Sequence, residues 1–131
     1  MIFSRTGWSR IFLIKGIYNI CLSLILMIWA TQLLPILGTP AGNPAYVEMF
    51  LLLCLAFGVG YLIVGLDVDS NAGIVVMGIL GQVSVFCVVI VQWHSGVVYA
   101  WSLPSGIIDF AFAVAFALFL WTYDYPVRAA R

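Results

Sequence analysis

The sequence predicts an all-α integral membrane protein, a bundle of four transmembrane helices. Hydrophobic residues make up 65% of the 131 residues, charged residues make up only 8%, and the mean hydropathy is +1.18. A soluble domain typically carries about 25% charged residues, so lipid is expected to cover most of this surface. The apolar runs do not alternate with polar residues, as strands of a membrane β-barrel would. Helices then remain as the way to satisfy every backbone group in lipid.

Four apolar stretches, separated by short connections, define the predicted spans of a single membrane domain. About 20 apolar residues cross the ~30 Å hydrocarbon core of a bilayer as a helix. The predicted spans cover residues 11–37, 46–66, 72–93 and 105–123. The turn-rich stretch 38–44 and the polar stretch 67–71 separate the first three. Pro35 is expected to stop or kink the first span.

The basic residues predict the orientation of the bundle. All five lie near a chain end, at positions Arg5, Arg10, Lys15, Arg128 and Arg131. Lysine and arginine concentrate on the cytoplasmic side of membrane proteins. An even number of spans therefore predicts that both termini are cytoplasmic, together with the loop after span two. The zero net charge and the lack of a basic stripe argue against a nucleic-acid partner.

Two polar residues lie close together in the N-terminal part of the first span. Lys15 is expected about one turn into this span, with Asn19 on the same helical face. A lysine near a helix end can extend its ammonium group to the interface. The alternative is an ion pair with Asp67 or Asp69, which are expected on the same side. Asn19 lies deeper and is expected to form a hydrogen bond with another helix.

Four further polar residues are candidates for a ligand pocket. Glu48, His94 and Asp109 all fall near span ends on the predicted outer side. They either cap helices, where the helix dipole favours a carboxylate, or line an outward-facing pocket for a headgroup, a quinone or a cation. Gln82 lies near the middle of span three, where an amide needs a partner. That partner is either another helix or a bound ligand.

No cofactor or metal site is predicted. The chain has one histidine and lacks the motifs of zinc hydrolases, P-loop proteins, serine hydrolases and dithiol redox enzymes. The three cysteines, Cys21, Cys54 and Cys87, fall inside apolar runs and are expected to be packing residues. A bound lipid or quinone remains open.

Glycine-rich segments in spans two and three resemble a known group of proteins. These segments read FGVGYLIVGLD over 57–67 and GIVVMGILGQ over 73–82, and Asp109 follows early in span four. This pattern resembles the small four-helix bacterial membrane proteins of the DoxX-like type. The resemblance implies a bacterial inner-membrane location, and some such proteins resemble subunits of quinone-linked sulfur oxidation. In these relatives a lysine often follows the glycine where this chain has Gln82.

Three functions are compatible with these observations. The first is a non-enzymatic accessory or structural subunit of a homo-oligomer or a larger membrane complex. Small residues in spans two to four support it, because helices in lipid associate by close contact at such residues. The second is a small-molecule or ion transporter or channel, with the polar residues along its path. The third is a quinone-linked or lipid-modifying enzyme.

Overall fold

The computed structural model describes residues 3–36 and 42–123, and it is helical with no strand in those two ranges. Its helices are α1 (Arg5–Ile36), α2 (Pro44–Leu66), α3 (Ala72–His94) and α4 (Leu103–Thr122), with a 3-10 turn at Ala100–Ser102. There are four apolar helices long enough to cross a membrane in the described ranges. The predicted four-helix, all-α fold is therefore confirmed. The loop residues 37–41 and the tail 124–131, with Arg128 and Arg131, lie outside the described residues.

Helix α1 is longer than the apolar stretch that predicts it. It begins at Arg5, where the Ser4 hydroxyl accepts a hydrogen bond from the Gly7 amide at 3.2 Å. A serine at this position satisfies an amide that has no partner inside the helix. The helix continues past Pro35 to Ile36, and its one non-helical residue is Trp29 (φ −120°, ψ 17°). The kink thus precedes the proline.

Two antiparallel hairpins make up the bundle, α1 with α2 and α3 with α4. In the first hairpin the two backbones touch. A Cβ atom added to Gly16 would lie 2.9 Å from the carbonyl oxygen of Gly58, and one added to Gly65 would lie 3.1 Å from the backbone nitrogen of Leu13. In the second, a Cβ atom added to Gly106 would lie 3.2 Å from Val89. Glycine permits this close approach of helices.

Aromatic rings join the two hairpins. The ring centroids of Phe12 and Phe116 are 4.5 Å apart, and Trp8 meets Phe119 at 5.3 Å. These four side chains are fully buried, as is Tyr61, whose ring packs against Phe116 from α2. Ring pairs at such distances stabilise a core beyond the area they bury. They fill the half of the bundle that contains Arg5, which we call the Arg5 end; the opposite end is the His94 end.

Candidate functional site: a buried ion pair between helices 1 and 4

An ion pair connects the two hairpins near the middle of the bundle. The Lys15 ammonium group donates a hydrogen bond to Asp109 Oδ1 at 2.5 Å. The Lys15 side chain is 1% exposed and that of Asp109 is 19% exposed. Moving an ion out of water into a protein interior costs on the order of several kcal/mol, so a buried charge needs a close partner. The sequence has no other lysine.

This pairing corrects two expectations about Lys15. The ammonium group does not extend to the surface, and its carboxylate partner is Asp109 rather than Asp67 or Asp69. The reason is the early start of α1 at Arg5. Ten residues at 1.5 Å each place Lys15 about 15 Å into the helix, beyond the reach of its side chain to the helix end.

Two aromatic rings complete the surroundings of the ammonium group. Lys15 Nζ lies 4.8 Å from the ring centroid of Tyr18 and 5.2 Å from that of Phe112. The face of an aromatic ring attracts a cation, most strongly where water is excluded. The carboxylate and the two rings together therefore surround the ammonium group of this lysine.

Asp109 does not join Glu48 and His94 in one outer pocket. Helix α4 begins at Leu103, so Asp109 lies about 9 Å into it and is turned towards Lys15. Glu48 and His94 are both exposed. The groove that Glu48 lines is formed by α1 and α2, without His94 or Asp109. The predicted three-residue group is therefore wrong in its geometry.

Gln82 forms the hydrogen bond between helices that its depth predicts. It lies about 15 Å into α3, and its Nε2 donates to the Tyr61 hydroxyl of α2 at 3.0 Å. Gln82 is 4% exposed, and its Oε1 has no partner among the described residues. Asn19 Nδ2 lies 3.5 Å from the Cys54 carbonyl oxygen, a long contact between α1 and α2.

A second polar cluster ties three segments together at the Arg5 end. Arg5 Nε and Nη2 lie 2.9 and 2.8 Å from Asp69 Oδ2, and the Tyr123 hydroxyl donates to Asp69 Oδ1 at 2.5 Å. The hydrogen bonds from Tyr123 and Arg5 lower the pKa of the Asp69 carboxyl. Nearby, Asp67 Oδ1 accepts from the Asp69 amide at 3.3 Å. The positions of Arg5 and Asp69 in the sequence predict that they lie on one side, and the structure adds that they are paired.

Small residues divide between the inside and the outside of the bundle. Ala113 is 3% exposed, while Ala111 and Ala117 lie on the exposed face of α4. Cys21 and Cys87 are also exposed on helix surfaces, which corrects the expectation that they pack inside the bundle. They lie on helix faces that point away from the shared core.

No protein-family model, no curated protein and no solved structure matches the chain. The DoxX-like resemblance of residues 57–67 and 73–82 therefore stays a prediction. Within the described ranges, no group of three or more histidine, cysteine, aspartate or glutamate side chains is placed to hold a metal ion.

Proposed function

We propose that this chain is a non-enzymatic membrane subunit that works in a homo-oligomer or in a larger membrane complex. The observation that supports this best is the exposed face of α4. Ala111, Val114, Ala117 and Trp121 recur at helical spacing and are all exposed, with Trp121 83% exposed. Small residues on a lipid-facing surface allow a second helix to approach closely.

The use of charge inside the bundle is consistent with this proposal. The Lys15–Asp109 pair connects α1 to α4. The Arg5–Asp69 pair connects the start of α1 to the segment between α2 and α3. Both pairs hold together elements that are distant in the sequence. Because these ion pairs hold the helices together, such a subunit can present a fixed apolar exterior to its partners.

The assembly proposal is tested by substitutions on the exposed face of α4. In mild detergent we expect the native chain to elute as an oligomer or with a membrane partner. Ala111→Leu and Ala117→Leu should shift it towards the monomer in light-scattering measurements, because the larger side chains hold a neighbouring helix away. Ala56→Leu is the matched control, since Ala56 is exposed on α2. A strictly monomeric native chain with no partner would contradict the proposal.

The proposed setting is the inner membrane of a bacterium, with both termini in the cytoplasm. The distribution of arginine and lysine supports this orientation. The Arg5–Asp69–Tyr123 cluster supports one part of it, that the start of α1 and the end of α4 lie on the same side. Reporter fusions at each terminus test it: we expect both to report the cytoplasm, and opposite sides would refute it.

Transport is a second candidate, favoured by the depth of the Lys15–Asp109 pair. Ionisable residues in the middle of a membrane protein often mark an ion or substrate path. The path to the Arg5 end is filled by fully buried rings, among them Phe12 and Phe119. Transport would therefore need these rings to move. Ion flux into liposomes tests this candidate, because replacing Gln82 and Asp109 should abolish a flux that uses them. A flux that persists in those variants would remove it.

A further inference from the structure

Helices α1 and α2 leave a groove of about 160 Å³ between them towards the His94 end. Residues 26–34 of α1 and residues 42–51 form its walls, which are mostly apolar. The non-helical residue Trp29 lies in the middle of the α1 wall. A break in the regular hydrogen bonding bends a helix at that point. The groove therefore lies beside the kink of α1.

One carboxylate lies in this otherwise apolar groove. Glu48 lines it and is exposed. It lies four residues after the start of α2, about 6 Å into the helix. In a bilayer this depth corresponds to the boundary between headgroups and hydrocarbon. A cationic group beside Glu48 would stabilise an anion held next to apolar side chains at that boundary.

Within residues 3–36 and 42–123, no lysine or arginine is paired with Glu48. Lys15 is paired with Asp109, and Arg5 is paired with Asp69 at the opposite end. Arg10 lies near Arg5 in the sequence, and the loop 37–41 contains no basic residue. The carboxylate of Glu48 is therefore free to pair with a cationic group of another molecule.

We propose that this groove binds a membrane lipid with an ammonium headgroup, the ammonium against Glu48 and the first part of an acyl chain along the walls. A cavity of about 150 Å³ lined by apolar side chains accepts a group the size of benzene. The groove is therefore large enough for a short length of hydrocarbon. The groove presents a carboxylate and apolar walls close together. An amphiphile with a cationic headgroup can contact both, whereas a free cation can contact only the carboxylate.

The inference is tested by photo-crosslinking in lipid nanodiscs made from the full chain. The probes are phosphatidylethanolamine and phosphatidylglycerol, each with a photoreactive group on an acyl chain. We expect phosphatidylethanolamine to label residues 26–34 and 42–51 about fivefold more than phosphatidylglycerol, since one charge contact near a membrane surface has this size. Labelling of α3 serves as the internal reference for lipids that contact the bundle without specificity.

Two variants separate the headgroup contact from the groove itself. Glu48→Gln should abolish the fivefold preference, and Asp67→Asn, which removes a charge at the other end, should preserve it. Ala30→Phe should lower labelling by both probes because it fills the groove, and Ala56→Phe on an exposed face should not. Equal labelling by the two probes, or a preference that survives Glu48→Gln, would overturn the proposal. Labelling spread evenly over all helices would overturn it as well.

Discussion

Replacing Lys15 with methionine is the sharpest perturbation of the bundle interior. Lys15→Met keeps much of the side-chain volume but leaves the Asp109 carboxylate without its cation, which lies 2.5 Å away. Removing one partner of a buried ion pair typically costs about 3–5 kcal/mol. Two unit charges 4 Å apart at an effective dielectric constant of 20 interact by about 4 kcal/mol, which is the same size. Asp109 is 19% exposed, so we expect a loss at the lower end of this range, about 3 kcal/mol.

The double variant tests whether this loss comes from the pair. Lys15→Met combined with Asp109→Leu removes both charges, and replacement of a buried pair by apolar residues is often neutral or stabilising. We therefore expect the double variant to be at least about 2 kcal/mol more stable than the sum of the two single losses predicts. The measurement is reversible unfolding in mixed micelles with increasing SDS, followed by circular dichroism. Strictly additive losses would refute the pairing.

Three further predictions follow from particular contacts. Gly16→Ala should destabilise the bundle by about 1–3 kcal/mol in the same unfolding assay, because the new methyl group meets the backbone of α2. Gly73→Ala, where an added Cβ meets nothing within 4 Å, should change stability little, and equal losses would contradict the close packing of α1 on α2. Phe12→Ala should cost about 3–5 kcal/mol, since its fully buried ring lies in the shared core; a loss below about 1 kcal/mol in the unfolding assay would show that the two hairpins do not share that core. Because hydrogen bonds from Tyr123 and Arg5 lower the pKa of the Asp69 carboxyl, the stability that this carboxylate contributes should be complete above its unfolded pKa of about 3.9. It should be lost as the pH falls through the lowered pKa of the folded state. Asp69→Asn should remove that acid dependence, and an unchanged pH profile would refute the role of Asp69.

The fold could be predicted because hydrocarbon-length apolar runs have few structural outcomes. Four runs with almost no charge can satisfy their backbones in lipid only as helices, and the helices occur where hydropathy predicts them. The ends were harder to predict. Helix α1 begins at Arg5 because Ser4 caps its first turn and because Trp8 and Phe12 pack into the core. The hydropathy of single residues reflects neither helix capping nor packing against other helices.

The site was predicted only in its components. Lys15, Asp109 and Gln82 were recognised because polar residues in apolar spans are costly. Their partners depend on the rotation and depth of each helix. A shift of a few residues in the start of α1 moves Lys15 from the interface to the middle of the bundle. The Lys15–Asp109 contact joins residues 94 positions apart in the sequence, and no local pattern in either helix specifies it.

The most direct test of the buried pair uses the single lysine of the chain. Labelling lysine side chains with ¹⁵N gives one ammonium signal, from Lys15 Nζ. With ¹³C at the aspartate carboxyl carbons, solid-state NMR in lipid bilayers reports which carboxyl lies beside that nitrogen. The structure predicts strong dipolar coupling to one carboxyl carbon, and loss of that coupling in Asp109→Asn prepared with unlabelled asparagine. An ammonium signal with no coupling to any aspartate, or one whose coupling persists in Asp109→Asn, would show that Lys15 is not paired with Asp109.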